Sequence, residues 1–191
     1  KGLSIPLIVI HDSILPRYRG FAPTVAQLIN KEETLGVTAF LASTEYDCGD
    51  IIVSEDIDIN YPMTIKEALE LISECYVKCI ENIKSLLKSN ESLITYSQDK
   101  LGKPSYTIWR DEYDYFIDWS LPALKILRTI DALGHPYAGA QTMVGENRVI
   151  LHSGKLYSDQ IKFEEVHCGK VYKLINSLPV VICGDSNLIY I

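Results

Sequence analysis

The run Leu3–Ile10, apolar almost without interruption, stops at His11-Asp12-Ser13. This feature constrains the fold most. A short apolar run without alternation reads as a strand buried on both faces, as in a parallel sheet. A histidine at its end, followed by Ser13, Pro16 and Gly20 at turn-forcing positions, puts a titratable ring at one sheet edge. A second turn, Asp47-Cys48-Gly49-Asp50, also lies between apolar runs. Open α/β sheets bind ligands at the carboxyl ends of their strands, where both His11 and Asp47 are expected.

The rest of the first half alternates helix and strand. Thr24–Glu33 is a predicted helix behind Pro23, with Val25, Leu28 and Ile29 on one side. Gly36–Ser43 and Ile51–Ile59 are predicted strands, the second half-exposed where Asp56 and Asp58 alternate with Ile57 and Ile59. Thr64-Ile65-Lys66-Glu67 has the form of a capping box opening a helix to about Ser89. Leu69, Ile72, Tyr76, Ile80, Ile83 and Leu87 recur at helical spacing and predict its core-facing stripe.

Residues 90–119 are polar and aromatic and read as a linker wrapping the first domain. Ser120 is the expected cap of a further helix, with Pro122 in its first turn and Gly134 at its end. After Tyr137 the pattern is short strands: Ala140–Val144, Arg148–His152, Lys170–Leu174 and Val180–Cys183. The domain organisation expected is a core over 1–89, a linker over 90–119 and a helix plus β-rich subdomain over 120–191. The chain opens directly on one strand-like run and closes on another, Asn187–Ile191, as a piece of a longer protein would.

Composition narrows the function classes. A chain of 191 residues with 47% hydrophobic content can bury a sizeable core. No apolar stretch reaches the roughly 18 residues of a membrane span, and Leu3–Ile10 lacks the features of a signal peptide. The net charge of -7 argues against polyanion binding, although Arg17 and Arg19 could together meet one phosphate. Five cysteines without a C-x-x-C pair predict reduced thiols in a cytoplasmic protein. Cys75 and Cys79, four apart on the predicted long helix, read as core, and no metal site is expected.

A histidine beside an aspartate supports several chemistries. A hydrolase would need Ser13 as nucleophile, without the G-x-S-x-G elbow. A metal on His11, Asp12 and Asp47 would match no familiar ligand spacing. Acyl or formyl transfer needs no protein nucleophile, only a base for an attacking amine and donors for the tetrahedral oxyanion. A purely structural, hydrogen-bonded histidine also fits these residues.

The surrounding residues add a resemblance. His11-x-Ser13-x-Leu15-Pro16-x-x-Arg19-Gly20 resembles the signature of the folate-dependent formyltransferases. Gly36-Val37-Thr38, Asp47-x-Gly49-Asp50-Ile51-Ile52 and Ile117-Asp118-Trp119-Ser120 follow in the family's order. Pro136-Tyr137-Ala138-Gly139-Ala140, Gly169-Lys170-Val171 and Cys183-Gly184-Asp185 resemble its C-terminal subdomain.

The resemblance implies an α/β fold: the second half of a Rossmann-like formyltransferase sheet, then a small β-rich subdomain, with the N-terminal part missing. It implies His11 and Asp47 as the catalytic pair and N10-formyltetrahydrofolate as the donor. Ser13, Leu15 and Pro16, with Ser43, Thr44, Glu45 and Tyr46, would contact that donor. The expected acceptor is an amino-sugar nucleotide, with methionyl-tRNA as the alternative and a homodimer as a permitted assembly. Where the family motif carries Asn two residues before the histidine, this chain has Val9, so a catalytically weakened folate- or nucleotide-binding relative is a third reading. The aromatic and acidic segment Trp109–Asp114 reads as a packed linker or an acceptor contact.

Overall fold

The computed structural model describes residues 6–89, 93–159 and 161–191. The chain forms two compact units, one ending at Trp109 and the other made mainly of Arg110–Ile191. Leu28–Lys31 and Pro62–Lys66 also belong to the second.

The first unit is built on a three-stranded sheet. β1 (Ile8–His11) runs beside β3 (Thr34–Leu41), which pairs with β4 (Ile51–Asp58). Both pairings are antiparallel, with Val9 opposite Phe40 and His11 opposite Thr38. The parallel arrangement expected from the apolar run is therefore corrected. A short apolar run reports burial, not the direction of its neighbour. Ile8, Val9 and Ile10 are only half-buried, and the start of the expected strand, Leu3–Ile5, lies outside the described residues.

β3 is the central strand, with Leu35, Val37, Ala39 and Phe40 at or near zero exposure. β4 alternates as expected, with Ser54, Asp56 and Asp58 exposed. Arg19–Gly20 form a short strand, β2, parallel to β5 (Tyr106–Thr107). The first helix, α1, covers Pro23–Ile29, and the long helix, α2, covers Ile65–Lys88.

The buried face of α2 differs from the expected stripe. Ile65, Ala68, Ile72, Cys75 and Cys79 are buried, whereas Ile80 and Leu87 are exposed. The buried positions recur at three- and four-residue steps, so helical periodicity holds, but cysteines and alanine occupy part of the inner face. Beyond Cys79 no side chain of the helix is fully buried.

The second unit begins with a 3₁₀ turn at Glu112–Tyr115, closed by reciprocal capping between Asp111 and Asp114. Its helix α3 spans Ala123–Ala132, and its N-cap is Pro122, not Ser120. The Ser120 amide and hydroxyl both donate to the Asp118 carboxylate, a local bond that competes with capping. The Asp185 carboxylate instead accepts the Ala123 N–H at 3.2 Å.

A hairpin of β6 (Ala140–Val144) and β7 (Asn147–Leu151) follows. The remaining strands, β8 (Lys155–Leu156), β9 (Val171–Ile175), β10 (Leu178–Ile182) and β11 (Leu188–Tyr190), form an antiparallel sheet in the order β8-β11-β10-β9. Asn176 and Ser177, both at positive φ, join β9 to β10 as a two-residue hairpin of matching twist requires. Val180, Ile182 and Leu188 form the core beneath Tyr157, Phe163 and Tyr190. No helix of the described residues is long and apolar enough to cross a membrane.

Candidate active site

His11 is the last residue of β1 and is 9% exposed. Its Nε2 lies 2.8 Å from the Tyr18 carbonyl oxygen and donates to it. With a proton on Nε2, Nδ1 is the ring nitrogen left to accept another. Nδ1 faces Asp47 Oδ2 at 3.6 Å, an ion-pair distance rather than a hydrogen bond. The ring is thus oriented by a backbone carbonyl, with the carboxylate placed to meet charge on its other side. The Tyr18 contact has no side-chain signature and could not be read from the sequence.

Asp47 stands in the loop between β3 and β4. Its Oδ2 accepts the Gly20 N–H at 2.8 Å. Its backbone is left-handed, with φ at 54°, and the same region holds Tyr18 at 59°, Gly20 at 102° and Ala22 at 45°. Non-glycine residues there cost about 1–3 kcal/mol each and cluster where a site over-determines its backbone. Gly20 also has a steric requirement: a Cβ there would lie 2.2 Å from the Thr107 carbonyl. At Gly49 a Cβ would meet the Leu41 carbonyl at 1.6 Å, so the turn closes only without a side chain.

The predicted donor contacts separate into three groups. Ser13 is fully buried, and its hydroxyl donates to the Arg17 carbonyl at 2.7 Å. Its own carbonyl accepts from Thr38 Oγ1, which in turn accepts the Leu15 N–H. Ser13 therefore braces the loop, and its hydroxyl is not set up as a nucleophile. Leu15 and Pro16 line a cleft of about 520 Å³ together with Ile51, Tyr96 and Lys103. Ser43, Thr44, Glu45 and Tyr46 are all exposed. Glu45 and Tyr46 border a second hollow, of about 340 Å³, with Phe21, Tyr106 and Trp109. Phe21 and Trp109 meet edge to face at 5.7 Å.

Arg17 and Arg19 do not form an anion site. Arg17 is paired with Glu32, and Tyr18 Oη donates to the same carboxylate at 2.5 Å. Burial pushes the Glu32 carboxyl up, but Arg17 and Tyr18 outweigh it and hold the group below its ordinary value. Arg19 is 7% exposed, with Nε and Nη2 donating to Gln98 Oε1 at 3.1 and 2.7 Å. Asp12 accepts from the Tyr76 hydroxyl, and burial, then Asp12, push that phenol well up. Among the described residues no group of three acidic, histidine or cysteine side chains could hold a metal.

Val9 shares the His11 face of β1, two residues away. It packs against Leu15, Phe40 and Ile51, an apolar cluster beside the cleft.

Two family models match this chain: formyl transferase over residues 2–76 and the formyl transferase C-terminal domain over residues 111–191. The chain belongs to the folate-dependent formyltransferase family. Methionyl-tRNA formyltransferase of Prochlorococcus marinus (strain MIT 9215) is 31% identical over 185 residues, which cover 94% of this chain and 56% of that protein. The chain spans about half the length of the curated relatives it matches. Two solved structures share the fold. HypX from Aquifex aeolicus in complex with tetrahydrofolic acid has a TM-score of 0.67 at 18% identity, over 97% of this chain and 31% of its own. The N-formyltransferase from Helicobacter canadensis, solved with folinic acid and dTDP-3-aminofucose, also has a TM-score of 0.67 at 18% identity, over 96% of this chain and 65% of its own. The formyltransferase fold expected from the sequence, mixed α/β followed by a β-rich domain, is therefore borne out.

Proposed function

We propose that the unit ending at Trp109 carries the reacting centre of an enzyme that moves a formyl group from N10-formyltetrahydrofolate to a primary amine. The observation that carries this reading is the convergence of His11, from the end of β1, and Asp47, from the loop between β3 and β4, each locked by a backbone partner, in a formyltransferase chain. Nε2 spends its proton on the Tyr18 carbonyl, so Nδ1 is the ring atom that takes a proton from the attacking amine. Asp47, 3.6 Å away, meets the resulting positive charge.

The residues fit the donor class. The cleft beside Leu15 and Pro16 offers apolar and aromatic walls for a planar ring system, and Lys103 suits a carboxylate. Ser43, Thr44, Glu45 and Tyr46 form an exposed loop whose backbone groups suit a pterin edge. When bound, the donor supplies an activated formyl carbon to which the amine adds. The folates in the HypX and Helicobacter canadensis structures support this assignment.

For the acceptor, an amino-sugar nucleotide is favoured by the aromatic side of the small hollow, at Phe21, Tyr106 and Trp109. Those aromatic faces suit a saturated ring that arrives bearing an ammonium group. The Helicobacter canadensis complex supports the same class. A second reading, methionyl-tRNA, is favoured by the curated relatives.

The deciding experiment assays wild type and His11→Ala with N10-formyltetrahydrofolate against an amino-sugar nucleotide and against methionyl-tRNA. We expect transfer to the sugar amine, lost in His11→Ala with an unchanged melting curve. Preferential formylation of the tRNA selects the second reading. A wild-type rate in the variant would remove His11 from the mechanism.

A further inference from the structure

We propose that Gln98 is a positioning residue that holds Asp47 where it faces His11. The proposal rests on the reading of His11 and Asp47 as the reacting pair. Gln98 comes from the stretch that composition marks as linker, yet it is 2% exposed and all its side-chain bonding goes to the site. Its Nε2 donates to the carbonyls of Asp47 at 2.9 Å and Gly49 at 2.7 Å. Its Oε1 accepts from Arg19 Nε and Nη2. One amide thus ties the Asp47 turn to the residue just before Gly20, whose N–H is the donor to Asp47 Oδ2.

The residue type follows from these partners. Two backbone carbonyls need a side chain with two N–H donors, and a buried guanidinium needs an acceptor. Only an amide offers both at once. A carboxylate would keep Arg19 and lose the two carbonyls, while a lysine would do the reverse. Arg19 is also fixed from elsewhere: its Nη1 donates to Tyr106 Oη at 3.1 Å, and its carbonyl accepts from Thr107 Oγ1 at 3.1 Å.

The anchor beneath Gln98 is backbone pairing. Tyr96 exchanges two hydrogen bonds with Ile51, both 2.8 Å, at the first residue of β4. This seats the segment directly beside the Asp47–Gly49 turn. The neighbouring amides separate cleanly. Arg19 N–H donates to the Ser105 carbonyl and Phe21 N–H to the Thr107 carbonyl, whereas Gly20 N–H between them points to Asp47. The Gly20 amide therefore reports where the Asp47 carboxylate is, and its two neighbours serve as internal controls.

The test measures amide hydrogen exchange in wild type, Gln98→Met and Gln98→Glu, with formyl transfer assayed in parallel. Gln98→Met should raise Gly20 exchange at least fivefold, with the β3 amides unchanged. Gln98→Glu should do the same, because it keeps the Arg19 contact but gives up both donors. Asp47→Ala sets the fully released Gly20 rate. Where wild type turns over, both Gln98 variants should lower kcat at least tenfold with KM for the donor within twofold. Unchanged Gly20 protection in both variants overturns the proposal, whatever happens to the rate. Released Gly20 with an unchanged rate supports the positioning and overturns instead the role of Asp47 in the reaction. Loss of β3 protection along with Gly20 makes Gln98 a general fold residue and overturns the proposal.

Discussion

Val9 stands where the motif that this sequence resembles carries asparagine, and its surroundings explain how the fold accepts valine. Its side chain completes an apolar cluster with Leu15, Phe40 and Ile51. An asparagine there would bring an N–H donor beside His11 but would set a polar group among those side chains. The two effects have opposite signs for stability and rate. Loss of an oxyanion donor costs about 10²–10³ in kcat in well-studied hydrolases. Burying an amide without full compensation costs about 1–3 kcal/mol. Val9→Asn should therefore raise kcat toward that range while lowering the melting temperature. Steady-state assay and thermal denaturation of the same preparation check both. A variant that loses stability with no gain in rate would place the oxyanion donor elsewhere.

At the scale of elements, the turn from Pro16 to Tyr18 is fastened to the residues that lead into β3. Glu32 accepts from both Arg17 and Tyr18, and its carbonyl accepts from Tyr61 Oη at 2.9 Å. Because Tyr18 also supplies the carbonyl that orients His11, this ion pair supports the site as well as the strand. Glu32 has a folded pKa below its ordinary value of 4.5, so the unfolded chain binds its proton first as pH falls. Its contribution is thus present above about pH 4.5 and is lost on acidification below it. Melting temperature measured against pH should fall less steeply below pH 4.5 in Glu32→Gln than in wild type. Parallel curves would show that the pair adds nothing to folding.

The elements themselves were unequally legible. β3, β4, α2 and the later hairpins follow periodicity and turn chemistry, which are local. The antiparallel partner of β1 was not legible, since an apolar run carries no directional information. β5 and its pairing with Arg19–Gly20 were missed because two-residue strands leave no periodic trace. Their only local sign was Gly20, whose missing Cβ admits the Thr107 carbonyl. Ser120 looked like a cap until Asp118 claimed its hydroxyl. At the candidate site, His11 and Asp47 stand out in the sequence by residue type and turn context, and the fold brings them together. Tyr18 and Gln98 were not: one acts through its backbone, and the other sits in a stretch whose composition reads as linker.

At the scale of the whole molecule, the five cysteines sample both units and give a readout of their packing. Cys75, Cys79 and Cys183 are buried, Cys48 is partly covered and Cys168 is exposed. Burial pushes the Cys75 and Cys79 thiols up and takes Cys183 to about 12. Since the thiolate is the reactive form, burial and a raised pKa act in the same direction. Cys48 is slowed more mildly: its pKa is raised by burial, and its thiol donates to the Tyr46 carbonyl at 3.1 Å. Iodoacetamide at neutral pH should therefore modify Cys168 first and Cys48 second, leaving the other three until the chain unfolds. Mass spectrometry of peptides across a urea series assigns each site. Cys75 and Cys79 then report the buried face of α2 in the first unit, and Cys183 reports the end of β10 in the second. If the two groups become reactive at different urea concentrations, the units unfold independently; a shared midpoint makes them one cooperative block. Modification of Cys75 in the folded protein at the Cys168 rate would contradict the packing of α2.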